Sequence, residues 1–184
     1  MNWLGLDKDV TYLVDTDVLE HIRFRADSDH IYTGIIAMAK AGIVKTVRQV
    51  FGELKKHKQA YEILHPHEKM LVVSPTIQFC AGVQAVIQLL ETVAPNLYET
   101  FGGKNPDPAD PWLVAVSKFH GYCLVTDESP HSAIKLPAVC KKKEIDCVVR
   151  SGPHFLIEVG LVKKIEPEHL SAQAFFGFGQ KPGM

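Results

Sequence analysis

The sequence predicts a single α/β domain in which helices cover both faces of a parallel sheet. Short apolar runs that favour strands alternate with longer segments whose apolar residues recur at helical spacing. This alternation is typical of parallel sheets, because the chain must cross over between neighbouring strands. With 184 residues, 46% of them hydrophobic, the chain can bury one good core, and we expect one domain rather than two.

The composition excludes a protein that attracts nucleic acid or membranes through its overall charge. Lys and Arg number 20 and Asp and Glu 21, which gives a net charge of -1. The four cysteines form no C-x-x-C pair, and we expect them to be reduced. No stretch approaches the roughly 20 apolar residues of a membrane span. The sequence therefore predicts a cytoplasmic protein without a membrane partner.

The first half of the chain contains three of the predicted strands. The run Val10 to Val14 is the first strand, and the apolar residues that follow it recur at helical spacing. Gly42 is a suitable end for a helix over Ile31 to Ala41. The other predicted elements are a strand at Ile43 to Val47, a helix from about Arg48 to Leu64, a strand at Leu71 to Val73 and a helix at Thr76 to Val93.

The second half continues the alternation after an irregular loop at Gly102 to Pro108. Asp110 suits the N-cap of the next helix, and Gly121 suits its end. The remaining predicted elements are a strand at Tyr122 to Val125, a helix at Leu136 to Lys143 and a strand at Ile145 to Val149. Residues 163–184 have no clear period, so we predict a domain over residues 1–162 followed by a C-terminal tail.

Acidic residues lie where such a sheet would bind a ligand. In open parallel sheets, ligands bind outside the carboxyl ends of the strands. Asp15 and Asp17 follow the first predicted strand, and Asp127 and Glu128 follow the fourth. Asp110 begins the helix before the fourth strand, and Glu53 lies on a helix that can lean over the same edge.

Carboxylates gathered at one edge would repel each other and raise each other's pKa unless a cation neutralised them. Hard oxygen ligands suit Mg2+ or Mn2+, and such an ion can activate water for attack on a phosphodiester. Each acid also has an ordinary structural interpretation: Asp15 and Asp110 can cap helices, and Asp127 can form a turn. The set as a whole favours a cation site.

Four blocks of sequence resemble the PIN domain, specifically the bacterial toxin-type PIN ribonucleases and related PIN-like proteins, from Thr11 to about Leu161. They are YLVDTDVL at Tyr12 to Leu19, VFGELKKH at Val50 to His57, ADPWLVAVSKFHGYCLVTDE at Ala109 to Glu128, and KLPAVCKKKEIDCVV at Lys135 to Val149. The resemblance implies a three-layer α/β/α fold with a five-stranded parallel sheet in the order 3-2-1-4-5. It also implies metal-dependent hydrolysis of RNA phosphodiester bonds.

The resemblance further implies a metal site in which Asp15, Glu53 and Asp110 match the first three acids of the family pattern. Either Asp127 or Glu128 would supply the fourth acid, and the spacing after the strand favours Glu128. Toxin-type relatives are blocked by a cognate antitoxin and commonly dimerise. An antitoxin partner and a homodimer are therefore expectations that follow from the resemblance alone.

Asp17 departs from the Asn that commonly follows Asp-Thr in these proteins, and we treat it as a secondary candidate ligand. The extra negative charge could alter the demand for metal. Lys55, Lys56 and Lys58 lie close to Glu53 in sequence and are candidates for contact with RNA phosphates. A run of charges is also a common feature of a solvated helix face.

Two other functions stay open at this level. A haloacid-dehalogenase-like phosphatase also begins with an apolar strand and an Asp-x-Asp-x-[Thr/Val] motif, in which Asp15 would be the nucleophile and Asp17 the general acid. That interpretation leaves the block that begins at Ala109 without a role. The other alternative is a catalytically inactive PIN-like module that binds RNA or protein, with its acids capping helices.

Overall fold

The computed structural model describes residues 10–74, 76–95 and 108–163, and these residues are organised around a parallel sheet. Four strands pair in the order β2-β1-β3-β4, and each pairing is parallel. The strands are β1 (Tyr12–Val14), β2 (Val44–Lys45), β3 (Cys123–Val125) and β4 (Val149–Arg150). The α/β class and the parallel sheet predicted from the sequence are thereby confirmed.

Helices connect the strands and supply most of the remaining core. They are α1 (Thr16–His21), α2 (Ser28–Lys40), α3 (Arg48–Leu54), α4 (Lys58–Leu64), α5 (Glu68–Leu71), α6 (Ile77–Val93), α7 (Ala109–His120), α8 (Leu136–Cys140) and α9 (Gly152–Glu158). Short 3-10 turns lie at Ile22–Phe24 and His65–His67. None of the helices in the described part of the chain is long and apolar enough to cross a membrane.

The two central strands are buried on both faces. Every residue of β1 and β3 is at most 5% exposed. Because successive side chains of a strand point to opposite faces, burial of every residue requires cover on both sides of the sheet. This burial accounts for the continuous apolar runs that predicted these strands, where a half-exposed strand would have shown alternation.

The sheet has four strands where the sequence predicted five. The predicted strand at Leu71 to Val73 is wrong: Leu71 ends α5, and the Val72 backbone N–H donates to Glu68 O at 2.8 Å. Val72 retains one isolated parallel bridge, to Thr46 beside β2. The helical hydrogen bond therefore leaves too short an extended segment for a full strand at this position.

The last predicted strand is displaced toward the C-terminus. Residues 142–146 form a turn closed by hydrogen bonds to Lys142 O, in which Asp146 has a φ of 49°, and the pairing with β3 begins only at Val149. A residue in the left-handed region cannot continue an extended strand. The helix predicted over Leu136 to Lys143 correspondingly ends at Cys140.

Two helix predictions also differ from the structure. The helix predicted from Arg48 to Leu64 is divided into α3 and α4 at His57, whose φ of -115° and ψ of 72° are not helical. Asp110 is not an N-cap, because Pro108 occupies that position and α7 starts at Ala109. Asp110 lies instead in the first helical turn.

The helices predicted at Ile31 to Ala41 and Thr76 to Val93 are present with small changes at their ends, as α2 and α6. Most of the loop predicted at Gly102 to Pro108, and the predicted tail from residue 164 onward, lie outside the described residues. The division into a domain and a tail stays a prediction.

Candidate functional site

Asp15 lies where β1 leaves the sheet, and its position is set by the register of β1 with β3. Val14 pairs with Val125, so Asp15 and Thr126 emerge side by side. The Asp15 backbone N–H donates to Val125 O at 3.0 Å. Its carboxylate caps α1 by accepting from the Thr16 N–H at 2.6 Å, and its second oxygen accepts from the Thr126 hydroxyl at 3.0 Å. Asp15 is only 4% exposed.

Thr126 connects the acids that follow β1 to those that follow β3. Its buried hydroxyl also lies 3.5 Å from Asp17 Oδ2 and accepts from the Glu128 N–H at 3.2 Å. The Asp127 N–H donates to the Asp17 carboxylate, at 3.3 Å from Oδ1 and 3.2 Å from Oδ2. The two strand-end segments therefore form one hydrogen-bonded unit, and four of the six candidate acids belong to it.

Glu53 and Asp110 reach this edge from helices. Glu53 on α3 accepts from the Thr16 hydroxyl at 2.6 Å and from the Ala109 N–H at 3.1 Å, which is at the start of α7. The next residue of α7, Asp110, is 7% exposed, and its carboxylate is electrostatically coupled to Glu128, Glu53 and Asp17. Glu53 thus fixes the start of α7 where Asp110 joins the other acids.

The two acids after Thr126 have different surroundings. Glu128 accepts from Lys135 Nζ at 2.5 Å and from the Leu136 N–H at 2.7 Å, and its charge acts on Asp110. Asp127 instead contacts His21 and Gly152. Between the two residues left open as the fourth acid, Glu128 is therefore the one coupled to Asp110.

Asp127 is held by groups from two other elements. Its Oδ2 lies 2.9 Å from His21 Nδ1, and its Oδ1 accepts from the Gly152 N–H at 2.9 Å. A Cβ added at Gly152 would lie 2.6 Å from Asp127 Oδ1 and 3.1 Å from Val18 Cγ1. The absence of a side chain at position 152 is therefore what allows this close approach.

Burial and mutual repulsion raise the pKa of three acids. The pKa of Asp110 is raised to about 8 by burial and by the charges of Glu128 and Glu53. The pKa of Asp17 is raised to about 6, mainly by burial and then by the charge of Asp127. Burial, Asp17 and Asp110 hold the pKa of Asp15 well above its usual range. The acids thus lie close enough to disfavour their own ionisation.

No three Asp, Glu, His or Cys side chains within residues 10–74, 76–95 and 108–163 are already placed to hold one metal ion. The contacts of Glu53 and Glu128 explain this, because their carboxylate oxygens accept from Thr16, Ala109, Lys135 and Leu136. A cation that bound here would have to replace some of these hydrogen bonds.

The basic residues around the site differ from those singled out in the sequence. Lys55, Lys56 and Lys58 are exposed, and Lys58 lies 3.8 Å from Glu62, so contact of these lysines with RNA stays a prediction. Lys135, which the sequence analysis did not select, is the lysine that contacts an acid of the cluster. Its signal was weak, because residues 128–135 form neither a helix nor a strand, so no regular period relates Lys135 to Glu128.

The described residues thus define an α/β protein with a cluster of buried carboxylates at the carboxyl edge of its parallel sheet. The chain belongs to the family described as Domain of unknown function (DUF4411), whose model matches residues 12–152. The match runs from β1 to the first residue of α9 and includes all six candidate acids. No curated protein and no solved structure matches the chain.

Replacing Gly152 with Ala should destabilise the protein by about 1–2 kcal/mol, because the new Cβ displaces the Asp127 carboxylate from the Gly152 N–H. Urea unfolding measures this change. Gly52→Ala is the matched control: Gly52 lies in α3 with nothing within 4 Å of an added Cβ, so the same change should stabilise by about 0.5–1 kcal/mol. Equal effects at the two positions would contradict the close approach at Gly152.

The free energy of unfolding, measured with a chelator present, should fall as pH rises from about 4 to about 8. The folded-state pKa is raised to about 6 for Asp17 and to about 8 for Asp110, from an unfolded value of 3.8. The contribution of each acid to the free energy of unfolding is therefore full below pH 3.8 and is lost as pH rises through its folded-state pKa. Asp110→Asn should flatten the upper part of this curve and increase stability at pH 8.

Urea unfolding at several pH values tests this expectation, with Asp29→Asn as the control because Asp29 is an exposed acid in the first turn of α2. The control should keep the slope of the unaltered protein. An Asp110→Asn variant with the same slope would show that Asp110 is ionised without penalty in the folded state.

Proposed function

We propose that this chain is a metal-dependent ribonuclease with a PIN-like fold, which hydrolyses RNA phosphodiester bonds. The observation that carries the proposal is the cluster of buried Asp15 and Asp110 with partly buried Asp17 at the edge of the sheet, in which the pKa of each acid is raised. Like charges that are buried together are costly unless a cation or a proton neutralises them. Such a cluster is therefore better suited to cation binding than to structural support.

The order of the strands supports the PIN-like part of the proposal. The observed order β2-β1-β3-β4 corresponds to 2-1-4-5 in the five-stranded PIN-like arrangement. The bridge between Thr46 and Val72 lies beside β2, where the third strand of that arrangement would be. In this proposal the three-layer fold has a third strand that is reduced to a single bridge.

The donors in the cluster suit Mg2+ or Mn2+, because all of them are carboxylate oxygens. Asp15, Asp110 and Glu128 would hold the ion, with Glu53 and Asp17 as further ligands, directly or through water. When bound, the ion would supply a water of lowered pKa and would neutralise negative charge on the phosphodiester.

Neighbouring residues hold the acids in place for this role. The Thr126 hydroxyl and the Thr16 N–H fix both oxygens of Asp15, and the Thr16 hydroxyl fixes Glu53. Lys135 pairs with Glu128, and about a third of its side chain is exposed. Its ammonium group can therefore also approach a phosphate at the rim of the site and offset part of the phosphate's charge.

The geometry of Asp15 is less suited to the phosphatase alternative. A nucleophilic carboxylate needs room for a whole phosphate group beside one oxygen, which is more space than a metal ion requires, and Asp15 is only 4% exposed. An inactive PIN-like module that binds RNA or protein differs from the ribonuclease in activity, and the cleavage experiment separates the two. A toxin role, an antitoxin partner and a homodimer are proposals that rest on the resemblance.

The protein should cleave RNA in the presence of Mn2+ or Mg2+, and Asp15→Asn and Asp110→Asn should each slow cleavage by about 100-fold or more. The reason is that each change removes a charged ligand, and a loss of about 2.7 kcal/mol of transition-state stabilisation corresponds to 100-fold in rate. Structured and unstructured RNAs labelled at one end provide the assay.

Asp29→Asn is the matched control for cleavage, because it makes the same change at an exposed acid on α2. This variant should cleave RNA at the rate of the unaltered protein, and a chelator should stop cleavage by either protein. Cleavage by the Asp15 and Asp110 variants at the rate of the unaltered protein, or no cleavage by any form, would reject the ribonuclease. Hydrolysis of phosphomonoesters with a phosphorylated Asp15 would select the phosphatase.

Glu128→Gln should weaken Mn2+ binding by about tenfold or more, whereas Asp127→Asn should change it by no more than about twofold. Glu128 is coupled to Asp110, whereas Asp127 is engaged by His21 and Gly152. Calorimetric titration with Mn2+ measures both affinities without requiring activity. The opposite ranking would make Asp127 the fourth acid.

A further inference from the structure

Cys140 and Cys147 are brought together by a turn between α8 and β4. The N–H groups of Ile145 and Asp146 donate to Lys142 O at 2.9 and 2.8 Å, and Asp146 adopts a φ of 49°. The chain then doubles back, so that the Cys147 N–H donates to Cys140 O at 3.0 Å. The two cysteines, seven positions apart in sequence, are therefore direct neighbours in space.

The two cysteines are electrostatically coupled and differ in exposure. The pKa of Cys140 is raised and that of Cys147 is lowered by their mutual interaction. Cys140 is fully buried, whereas Cys147 is partly exposed. A disulfide requires Cα atoms about 4.4–6.8 Å apart, a separation compatible with two residues joined by a backbone hydrogen bond. The backbone contact is therefore compatible with a disulfide, and Cys147 is the partly exposed member of the pair.

The ammonium group of Lys118 and the thiol of partly exposed Cys147 contact the same carbonyl oxygen. Lys118 Nζ donates to Ile145 O at 2.9 Å, and Cys147 Sγ lies 3.8 Å from the same carbonyl oxygen. The pKa of Cys147 is lowered to about 7, first by its interaction with Cys140 and then by Ser117 and the charge of Lys118, while burial and the charge of Asp146 oppose the shift. Thiolates, rather than thiols, are the nucleophiles in sulfur chemistry, so Cys147 is the more reactive member of the pair.

We propose that Cys140 and Cys147 form a redox-active dithiol that a hydroperoxide converts into an intramolecular disulfide. Cys147 sulfur attacks one peroxide oxygen, the O–O bond breaks, and a sulfenic acid and one water form. The Cys140 sulfur then attacks the Cys147 sulfur, the S–O bond breaks, and a second water leaves as the disulfide forms. The dithiol loses two electrons and two protons, which reduce hydrogen peroxide to water.

This inference is independent of the ribonuclease proposal, although the disulfide would join two elements near the acidic site. It would tie the end of α8 to the segment before β4. The first residue of α8 is Leu136, whose N–H holds Glu128. Oxidation would therefore constrain the helix that positions one of the candidate metal ligands.

The test treats the full-length protein with hydrogen peroxide at pH 7, then unfolds it in denaturant with N-ethylmaleimide, so that every remaining thiol including buried Cys140 is blocked, and maps the peptides by mass spectrometry. We expect a linkage between Cys140 and Cys147, with a mass about 2 Da below that of the dithiol peptides, and its reversal by dithiothreitol. Cys147 should also react with iodoacetamide at pH 7 about tenfold faster than the more exposed Cys80.

Single substitutions distinguish the roles of the two sulfurs. Cys140→Ser should stop at a Cys147 sulfenic acid that dimedone captures, and Cys147→Ser should form neither product. Cys80→Ser should leave the linkage unchanged. The proposal is overturned if Cys140 and Cys147 of the unaltered protein both remain open to N-ethylmaleimide after peroxide, or if the only disulfides join two molecules. Because mapping of the unaltered protein decides this, a variant that folds poorly does not affect the result.

Discussion

The parallel pairing of β1 with β3 is the constraint on which the rest of the site depends. With Val14 opposite Val125, the two strands end at the same level, and the hydrogen bond from Asp15 N–H to Val125 O continues the pairing one residue further. This register places the Thr126 hydroxyl against the Asp15 carboxylate. A slip of one residue would turn these side chains to the opposite face of the sheet and separate the acids.

Close packing of the acids has an electrostatic cost that their hydrogen bonds only partly offset. Thr16 and Thr126 donate to Asp15, whose pKa is nevertheless held well above its usual range, and the pKa of Asp110 is raised to about 8 despite the charge of Lys135. The ionised cluster is therefore a place where stability is given up, as is common at functional sites. A proton relieves this repulsion, and in the proposed function a divalent cation would relieve it in the same way.

Local sequence rules predicted the central strands well because every residue of β1 and β3 is buried, which gives a continuous apolar run. They predicted the long helices α2 and α6 because each has one buried and one exposed face, which gives a helical period. The rules failed where short segments have competing hydrogen bonds. His57 interrupts one predicted helix, and the bond from Val72 N–H to Glu68 O leaves a bridge where a strand was expected.

The sequence by itself determined which acids follow the strand ends, because strand period and chain direction assign Asp15 and Glu128 to one edge of a parallel sheet. Only the tertiary structure decided which partners the acids have. Asp127 and His21 are 106 positions apart in sequence, and Gly152 approaches from a third element. Side-chain directions in loops are set by such distant contacts, which no local periodicity records.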